Sequence, residues 1–245
     1  MKAVIENNRT GAVTVAELPE PSLAGSGILV RTLVSVVSAG TERVMVELAQ
    51  KSLLGKARER PDLVRQVVDK ARRDGIATTV EAVRTRLDTP VPLGYSSAGT
   101  VIAVSPDVDE FKVGDRVACA GAGYASHAEV VFVPRNLATR IPAEVAAESA
   151  AFATLGAVAL HGLRLSEVSL GETVVVLGLG VVGLLAVQLA AAAGCRTIGF
   201  DPQSGRANLA RSTGAEMAVS DTETLRSCVA QVSAGAGADA VLVAA

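Results

Sequence analysis

The stretch TVVVLGLGVVGLLAVQLAAAAG, residues 173–194, decides the fold of this chain. It carries no charged side chain, and its length approaches the run of about 20 apolar residues that one membrane-spanning helix needs. However, the first five residues, TVVVL, are typical of a buried strand, and three glycines follow before any helical pattern begins. The flanking residues, Glu172 on one side and Cys195 and Arg196 on the other, lack the aromatic and basic character of a bilayer edge. The stretch therefore predicts a buried strand followed by a helix.

The three glycines have a spacing that points to a ligand. Gly178, Gly180 and Gly183 form G-x-G-x-x-G between a predicted strand at 173–177 and a predicted helix at 181–193. The first glycine permits a tight turn, the second lets a pyrophosphate approach the backbone, and the third lets the helix pack on the strand. The N–H groups at the helix start, including those of Val181 and Val182, would hold the phosphates. The alternative is a glycine-rich turn packed for structure alone.

An acidic residue follows at the position that such a site requires. A second strand is predicted at 196–200 and ends at Asp201, eighteen residues after Gly183. A carboxylate there accepts hydrogen bonds from the hydroxyls of an adenosine ribose. The 2′-phosphate of NADP(H) would meet the same negative charge, so the sequence predicts NAD(H) as the cofactor.

The pattern after Asp201 continues as alternating helices and strands. Helices are predicted at 203–212 and 222–232, and strands at 218–219 and 240–244. Such alternation is typical of a parallel sheet with right-handed crossovers. A doubly wound dinucleotide fold has six strands, and four are predicted here. We therefore expect the nucleotide-binding domain to be incomplete at its C-terminus, and a longer chain to be the better enzyme.

The first 150 residues predict a different architecture. Short alternating runs at 3–5, 27–33, 98–104, 116–119 and 128–133 are separated by Pro and Gly turns, which is typical of antiparallel sheet. A charged insert lies between them at 42–90. Apolar residues recur there at helical spacing, between Pro61 at a first helical position and a stop at Gly75. They are Leu63, Val64, Val67, Val68 and Ala71. Eight acids alternate with eleven bases at 42–88, which favours a solvated helical face over a basic ligand-binding patch.

Composition excludes several other functions. The net charge of -2 gives no reason to expect nucleic acid as a partner. Cys119, Cys195 and Cys228 are scattered without metal-ligand spacing or a disulfide pattern, which favours a cytoplasmic protein. The N-terminal residues lack the apolar core of a signal peptide.

The order of these motifs resembles a known family. VGDRV at 113–117, PRNLATRIPAEVAAESAAF at 134–152 and GLGVVG at 178–183 are similar to the medium-chain dehydrogenase/reductase superfamily, which contains zinc alcohol dehydrogenases and quinone reductases. The resemblance implies a GroES-like antiparallel β domain at 1–150, with the helical insert, and a Rossmann NAD-binding domain at 151–245. VSAGTER at 37–43, RPDLVRQVVDKARRDG at 60–75 and VPLGYSSAGTV at 91–101 resemble the N-terminal module of bidomain oxidoreductases. That subgroup implies a fused or neighbouring dehydrogenase domain, and the superfamily implies a homodimer.

The departures from the family pattern concern the metal. Ala39 stands where zinc-dependent members place a Cys, Tyr95 and Ser96 stand where they place a His and a Glu, and the last ligand position falls near Thr154. None of these side chains can replace a thiolate or imidazole at a tetrahedral zinc. The four closely spaced cysteines of the structural zinc lobe are also missing, since only Cys119 is present in that region. We therefore expect no zinc at either site.

Without a Lewis acid, a substrate carbonyl must be polarised by hydrogen bonds. The resemblance places Thr41 where zinc-dependent relatives have the hydroxyl that touches the substrate oxygen. Tyr95 is a second candidate donor, or else a buried phenol that fills the space of the absent metal. Glu42 either orients Thr41 or forms a salt bridge with Arg43.

Three functions follow from these observations. The leading one is a zinc-independent NAD(H)-dependent oxidoreductase that transfers hydride to or from a carbonyl, an alcohol or an activated alkene. The second is a dinucleotide-binding module or truncated fragment without catalytic activity, and the third is a membrane-anchored protein. The two histidines, His127 and His161, are predicted to be structural, with His127 as an alternative acid.

Overall fold

The chain forms two compact units. The computed structural model describes residues 1–51, 55, 58 and 61–245, with one unit at Met1–Phe152 and the other at Ala153–Ala245. Residues 52–54, 56–57 and 59–60 of the predicted insert, and the side chain of Leu63, lie outside the described part.

The first unit consists mainly of antiparallel sheet. Its strands are β1 Lys2–Asn7, β2 Val13–Glu17, β3 Gly27–Ser35, β4 Pro90–Pro92, β5 Ser96–Val104, β6 Arg116–Ala120, β7 Val130–Pro134 and β8 Ala138–Arg140. One sheet has the order β7-β3-β5-β6-β8, and a smaller one has the order β2-β1-β4. Ile28, Val30, Val101, Val117 and Val133 are buried in the core of the larger sheet, as the alternating pattern requires. The predicted antiparallel domain is confirmed.

Three strands of this unit were not predicted, and all three lie at sheet edges. β2 is mostly exposed, while β4 and β8 have three residues each. β4 and β8 are too short to show the alternation of a half-buried strand, and β2 has no buried residue. The last predicted strand began too early, because Ala128 forms only an isolated bridge to Ala3 and β7 begins at Val130.

Most of the insert that the structure describes is helical. The helices bounded within these described residues are α1 Ala39–Gln50, α2 Pro61–Asp74 and α3 Ile76–Asp88. The predicted stop is confirmed, since Gly75 separates α2 from α3 with a φ of 89°, a value that strains other residues. Lys70 pairs with Asp74 one turn later, as a solvated helical face would. A short helix, α4 Ala147–Ala150, precedes the second unit.

The second unit is a parallel α/β fold. Its strands are β9 Thr173–Leu177, β10 Arg196–Phe200, β11 Met217–Val219 and β12 Ala240–Val243, in the sheet order β11-β10-β9-β12. Its helices are α5 Ala153–Leu165, α6 Val181–Ala192, α7 Ser204–Ser212 and α8 Thr222–Val232. Val174 and Val176 belong to one buried cluster and Val175 to another, so β9 is covered on both faces. Burial inside the protein therefore accounts for the charge-free sequence at 173–194, and no bilayer is needed to explain it.

None of the helices in the described part of the chain is long and apolar enough to span a membrane. The hydrophobic stretch is divided between the five residues of β9 and the twelve residues of α6.

Candidate functional site

The glycine turn between β9 and α6 is built as the sequence predicts. Gly178 has a φ of 90°, which allows the backbone to turn sharply at the end of the strand. A Cβ atom on Gly183 would lie 1.9 Å from the carbonyl oxygen of Gly178, so only glycine permits this approach of helix and strand. These two glycines are therefore required by the fold itself.

Gly180 differs from its two neighbours in the motif. Its φ of −69° is open to any residue, and a Cβ atom there would meet nothing within 4 Å. The packing of this chain gives no reason for a glycine, whereas a side chain would occupy the space in front of the helix. The first hydrogen bond of α6 runs from Leu184 N to Gly180 O at 2.9 Å. The amides of Val181 and Val182 precede that bond and have no partner within the helix. The turn thus fits an anion such as a pyrophosphate.

Asp201 is buried at the end of β10, with 2% of its surface exposed. Its Oδ2 accepts hydrogen bonds from Leu179 N at 2.9 Å and from Arg206 Nη1 at 3.2 Å. Its Oδ1 accepts a hydrogen bond from Gln203 N at 2.9 Å. Burial alone would raise the pKa of this carboxyl, but the bonds from Gln203, Leu179 and Arg206 outweigh it, and the pKa lies below the usual 3.8. Asp201 is therefore ionised at neutral pH.

These bonds limit what Asp201 can still accept. A carboxylate offers about four lone-pair positions. Three of these positions already accept hydrogen bonds, two on Oδ2 and one on Oδ1. The remaining position is on Oδ1.

Arg206 was not predicted as a site residue, although its place in the first turn of the helix after Asp201 could have indicated it. Its side chain is 48% exposed.

In the first unit, the two candidate hydroxyl donors lie on segments that adjoin neighbouring strands. β3 and β5 are antiparallel, with Ser35 opposite Ser97, and Val36 N donates to Ser96 O at 3.0 Å. α1 follows β3, and Tyr95 directly precedes β5. The pairing of these strands therefore brings the segments of Thr41 and Tyr95 to the same end of the sheet.

Thr41 lies exposed in the first turn of α1. Ser38 Oγ donates to Thr41 Oγ1 at 3.2 Å, and Ser38 N donates to Glu42 Oε1 at 3.0 Å. Arg43 pairs with Glu47 at 2.7 Å. The predicted alternative of a Glu42–Arg43 salt bridge is therefore wrong, because a helix brings residues four apart onto one face and separates adjacent ones.

Tyr95 and Ser96 occupy two of the substituted metal positions. Tyr95 is half-buried, and its hydroxyl makes no hydrogen bond to another residue that the structure describes. Ser96 is buried, and its hydroxyl donates to Ala151 O at 2.6 Å. The Ser96 hydroxyl is therefore engaged with the backbone, while the Tyr95 hydroxyl is available to a ligand.

A partly buried histidine joins this cluster. His127 Nδ1 lies 2.8 Å from Ser35 Oγ, and His127 Nε2 lies 3.2 Å from Glu42 Oε1. Separations of 92 and 85 residues along the chain hide these contacts from any local pattern. His161, by contrast, is exposed on α5.

Among the residues that the structure describes, no group of three or more His, Cys, Asp or Glu side chains could hold a metal ion. Ala39 is the first residue of α1, and Thr154 lies in the first turn of α5.

Comparison with known proteins identifies both units. Residues 68–143 match the alcohol dehydrogenase GroES-like domain, and residues 181–245 match the zinc-binding dehydrogenase family. D-guloside 3-dehydrogenase of Shigella flexneri is 34% identical over 134 residues, which is 54% of this chain and 38% of that protein. An alcohol dehydrogenase superfamily protein from Novosphingobium aromaticivorans has a TM-score of 0.73 at 26% identity, over 99% of this chain and 65% of that one. Escherichia coli quinone oxidoreductase complexed with NADPH has a TM-score of 0.70 at 20% identity, over 96% of this chain and 63% of that one.

The chain belongs to the medium-chain dehydrogenase/reductase superfamily, with a GroES-like domain followed by a Rossmann-like domain. A curated relative is a dehydrogenase, and a quinone oxidoreductase shares the fold. The chain matches 38% of the length of its curated relative from Shigella flexneri.

Proposed function

We propose that this chain is a zinc-independent, NAD(H)-dependent oxidoreductase that transfers hydride to or from a carbonyl, an alcohol or an activated alkene. The observation that carries the proposal is the glycine turn. Gly178 and Gly183 are required by the fold, but Gly180 faces open space in front of an uncapped helix N-terminus. A pyrophosphate explains the glycine at this second position of the motif.

Different residues of the second unit would bind different parts of the dinucleotide. The amides of Val181 and Val182 would hold the phosphates, and Asp201 Oδ1 would accept a ribose hydroxyl. When bound, the nicotinamide supplies or accepts the hydride. The chain itself must supply the substrate's proton and polarise its oxygen.

NAD(H) is the cofactor that the charge of Asp201 supports. The carboxylate is buried and ionised, so a 2′-phosphate would meet a fixed negative charge. The exposed side chain of Arg206 is the feature that would favour NADP(H) instead, as would the NADPH bound by the quinone oxidoreductase of Escherichia coli. Arg206 is already paired with Asp201, which reduces the positive charge it offers to a phosphate.

Zinc independence rests on the side chains at the metal positions. Ala39 has no ligand atom, Ser96 donates its hydroxyl to a backbone carbonyl, and Tyr95 offers a phenol in place of an imidazole. Thr41 and Tyr95 supply hydroxyl groups that can polarise a substrate oxygen. Thr41 is the leading donor because its hydroxyl oxygen accepts from Ser38, which leaves its own hydrogen for the substrate.

The test combines binding, turnover and metal content. The protein is titrated with NADH and NADPH by nicotinamide fluorescence, and NADH oxidation is followed with a panel of aldehydes, ketones, quinones and enones. We expect tighter binding of NADH, turnover of at least one substrate class, and no stoichiometric zinc by elemental analysis. Equal affinity for both cofactors would refute the assignment of Asp201, and one zinc per chain would refute the metal-free site.

A dinucleotide-binding module without catalysis is the second candidate. The substitutions at the metal positions favour it, because they remove the Lewis acid that zinc-dependent relatives use. This candidate predicts NADH binding without turnover of any substrate in the panel. The same measurements therefore separate the two functions.

A further inference from the structure

His127 has no part in the function proposed above, yet four hydrogen-bond contacts hold it. Its side chain is 9% exposed and lies between Ser35 and Glu42. Its backbone N–H donates to Leu93 O, and its carbonyl accepts from Val4 N, both at 2.8 Å. The imidazole is therefore fixed in one orientation.

The partners of the ring define its hydrogen positions. Glu42 Oε1 already accepts from Ser38 N, and an ionised carboxylate can only accept. The hydrogen between Nε2 and Glu42 must therefore lie on Nε2 of His127. In the neutral ring Nδ1 then has no hydrogen, and the Ser35 hydroxyl donates to it.

This arrangement leads directly to Thr41. His127 and Ser38 N converge on the same oxygen of Glu42, which fixes the carboxylate against the start of α1. Ser38 Oγ in turn donates to Thr41 Oγ1. With that acceptor position filled, the hydroxyl hydrogen of Thr41 is directed away from the cluster, where a substrate oxygen can receive it.

The same ring also contacts the segment of the second donor. Gly94 has a φ of 91°, and a Cβ atom there would lie 2.8 Å from the His127 ring. The imidazole therefore packs directly on the backbone of the residue that precedes Tyr95. One side chain thus contacts both segments that carry a candidate hydroxyl donor.

We propose that His127 is a positioning residue, which holds Glu42 and through it the first turn of α1, so that the Thr41 hydroxyl is oriented for substrate. The proposal rests on the proposed oxidoreductase function for its effect on rate. Its structural part, the link from His127 to Ser38, can be measured without any substrate.

Two substitutions separate the two ring nitrogens. The amide nitrogen of glutamine reaches about as far as Nε2, so His127→Gln keeps a donor for Glu42. The shorter amide of asparagine lies near Nδ1, so His127→Asn keeps a contact with Ser35 and loses the one with Glu42. The control is His161→Gln, which changes an exposed histidine in the other unit.

We measure kcat and KM for the parent chain and these variants, using the best substrate of the panel. His127→Asn should lower kcat by about 10-fold to 100-fold with KM changed by less than about 3-fold, because orientation of the donor is lost. His127→Gln should retain kcat within about 3-fold, and His161→Gln should match the parent. An equal loss of kcat in both His127 variants, or a change in thermal stability alone, would overturn the proposal.

Hydrogen exchange of the Ser38 amide, followed by NMR, gives the second readout. We expect faster exchange in His127→Asn than in the parent and His127→Gln, because Glu42 no longer holds that amide. If no protein in the series turns over any substrate, the oxidoreductase function has failed, and Ser38 exchange still decides the positioning role. Unchanged Ser38 exchange in His127→Asn would refute that role whatever the activity.

Discussion

The glycine turn of the second unit and the hydroxyl cluster of the first unit are built in opposite ways. The hydroxyl cluster consists of Ser35, Ser38, Thr41, Glu42 and His127. The turn is made of backbone, and a window of six residues from Gly178 to Gly183 contains all of it. The cluster is made of side chains from segments as far apart as Ser35 and His127, 92 residues along the chain. The turn is fixed by steric exclusion, whereas the cluster is fixed by hydrogen bonds.

This difference determines how each region should respond to mutation. A carbonyl oxygen 1.9 Å from an added Cβ atom leaves no conformation in which both fit, so the fold must change. A hydrogen bond in the cluster contributes about 0.5–1.5 kcal/mol net, so its loss leaves the fold intact. We therefore expect changes at Gly178 and Gly183 to affect stability and changes in the cluster to affect rate.

Gly183→Ala should have the largest effect. The added methyl group must separate α6 from the end of β9, and we expect a loss of about 3 kcal/mol or more in the free energy of unfolding, measured by urea denaturation. The matched control is Gly180→Ala, where the methyl group enters open space. The control should lose less than about 1 kcal/mol of stability and should bind NADH more weakly.

The two glycine variants also test the pyrophosphate assignment. If Gly180→Ala binds NADH as tightly as the parent chain, the space in front of α6 does not hold a phosphate. A stable Gly183→Ala protein would show that the helix and strand can move apart, contrary to the packing described above.

Thr41→Val should lower kcat by about 100-fold to 1000-fold, the range typical of removing one hydrogen-bond donor to a developing oxyanion. Thr41 is exposed, so the free energy of unfolding should change little. Thr41→Ser keeps the hydroxyl and should retain most of the rate. If Thr41→Val remains active while Tyr95→Phe is inactive, Tyr95 is the donor.

Asp201→Asn should remove a pH-dependent part of the stability. The pKa of Asp201 is lowered because the bonds from Gln203, Leu179 and Arg206 outweigh the effect of burial. A lowered pKa stabilises the folded state above the ordinary value of 3.8, and this contribution is lost as the pH falls through the folded-state pKa. At neutral pH we expect the variant to be less stable by about 1–3 kcal/mol, because its amide N–H₂ group faces N–H donors.

Urea denaturation between neutral pH and about pH 3 provides the measurement. The difference between the parent and Asp201→Asn should shrink as the pH falls below 3.8. The control is Asp74→Asn, whose carboxylate is exposed and pairs with Lys70 in solvent. A difference that grows toward low pH would contradict the bonding of Asp201.

The sequence predicted the turn more completely than the cluster, for a physical reason. β9 and β10 begin and end at the predicted residues because a parallel strand covered on both faces needs an unbroken apolar run. Thr41, Tyr95 and Glu42 were found by resemblance to a family. The bond from Glu42 to His127 was not found, since neither strand propensity nor spacing specifies a contact across 85 residues.

Cys119, two strands away from Ser35 of the cluster, should have the smallest effect when replaced. Cys119 lies on β6 opposite Ser97 of β5, and burial raises its pKa to about 12 against the opposing effect of a hydrogen bond with Ser97. Since the ordinary value is 9.0, the thiolate fraction at pH 8 falls by about 1000-fold. Iodoacetamide at pH 8 should therefore leave Cys119 unmodified in the folded protein and modify it in urea, as peptide mass spectrometry would show.

Cys119→Ala should keep kcat close to that of the parent chain, because the thiol donates no proton in the proposed reaction. Rapid alkylation of folded Cys119 would mean that this end of the sheet opens to solvent, and the hydroxyl cluster would then be less rigid than its hydrogen bonds imply.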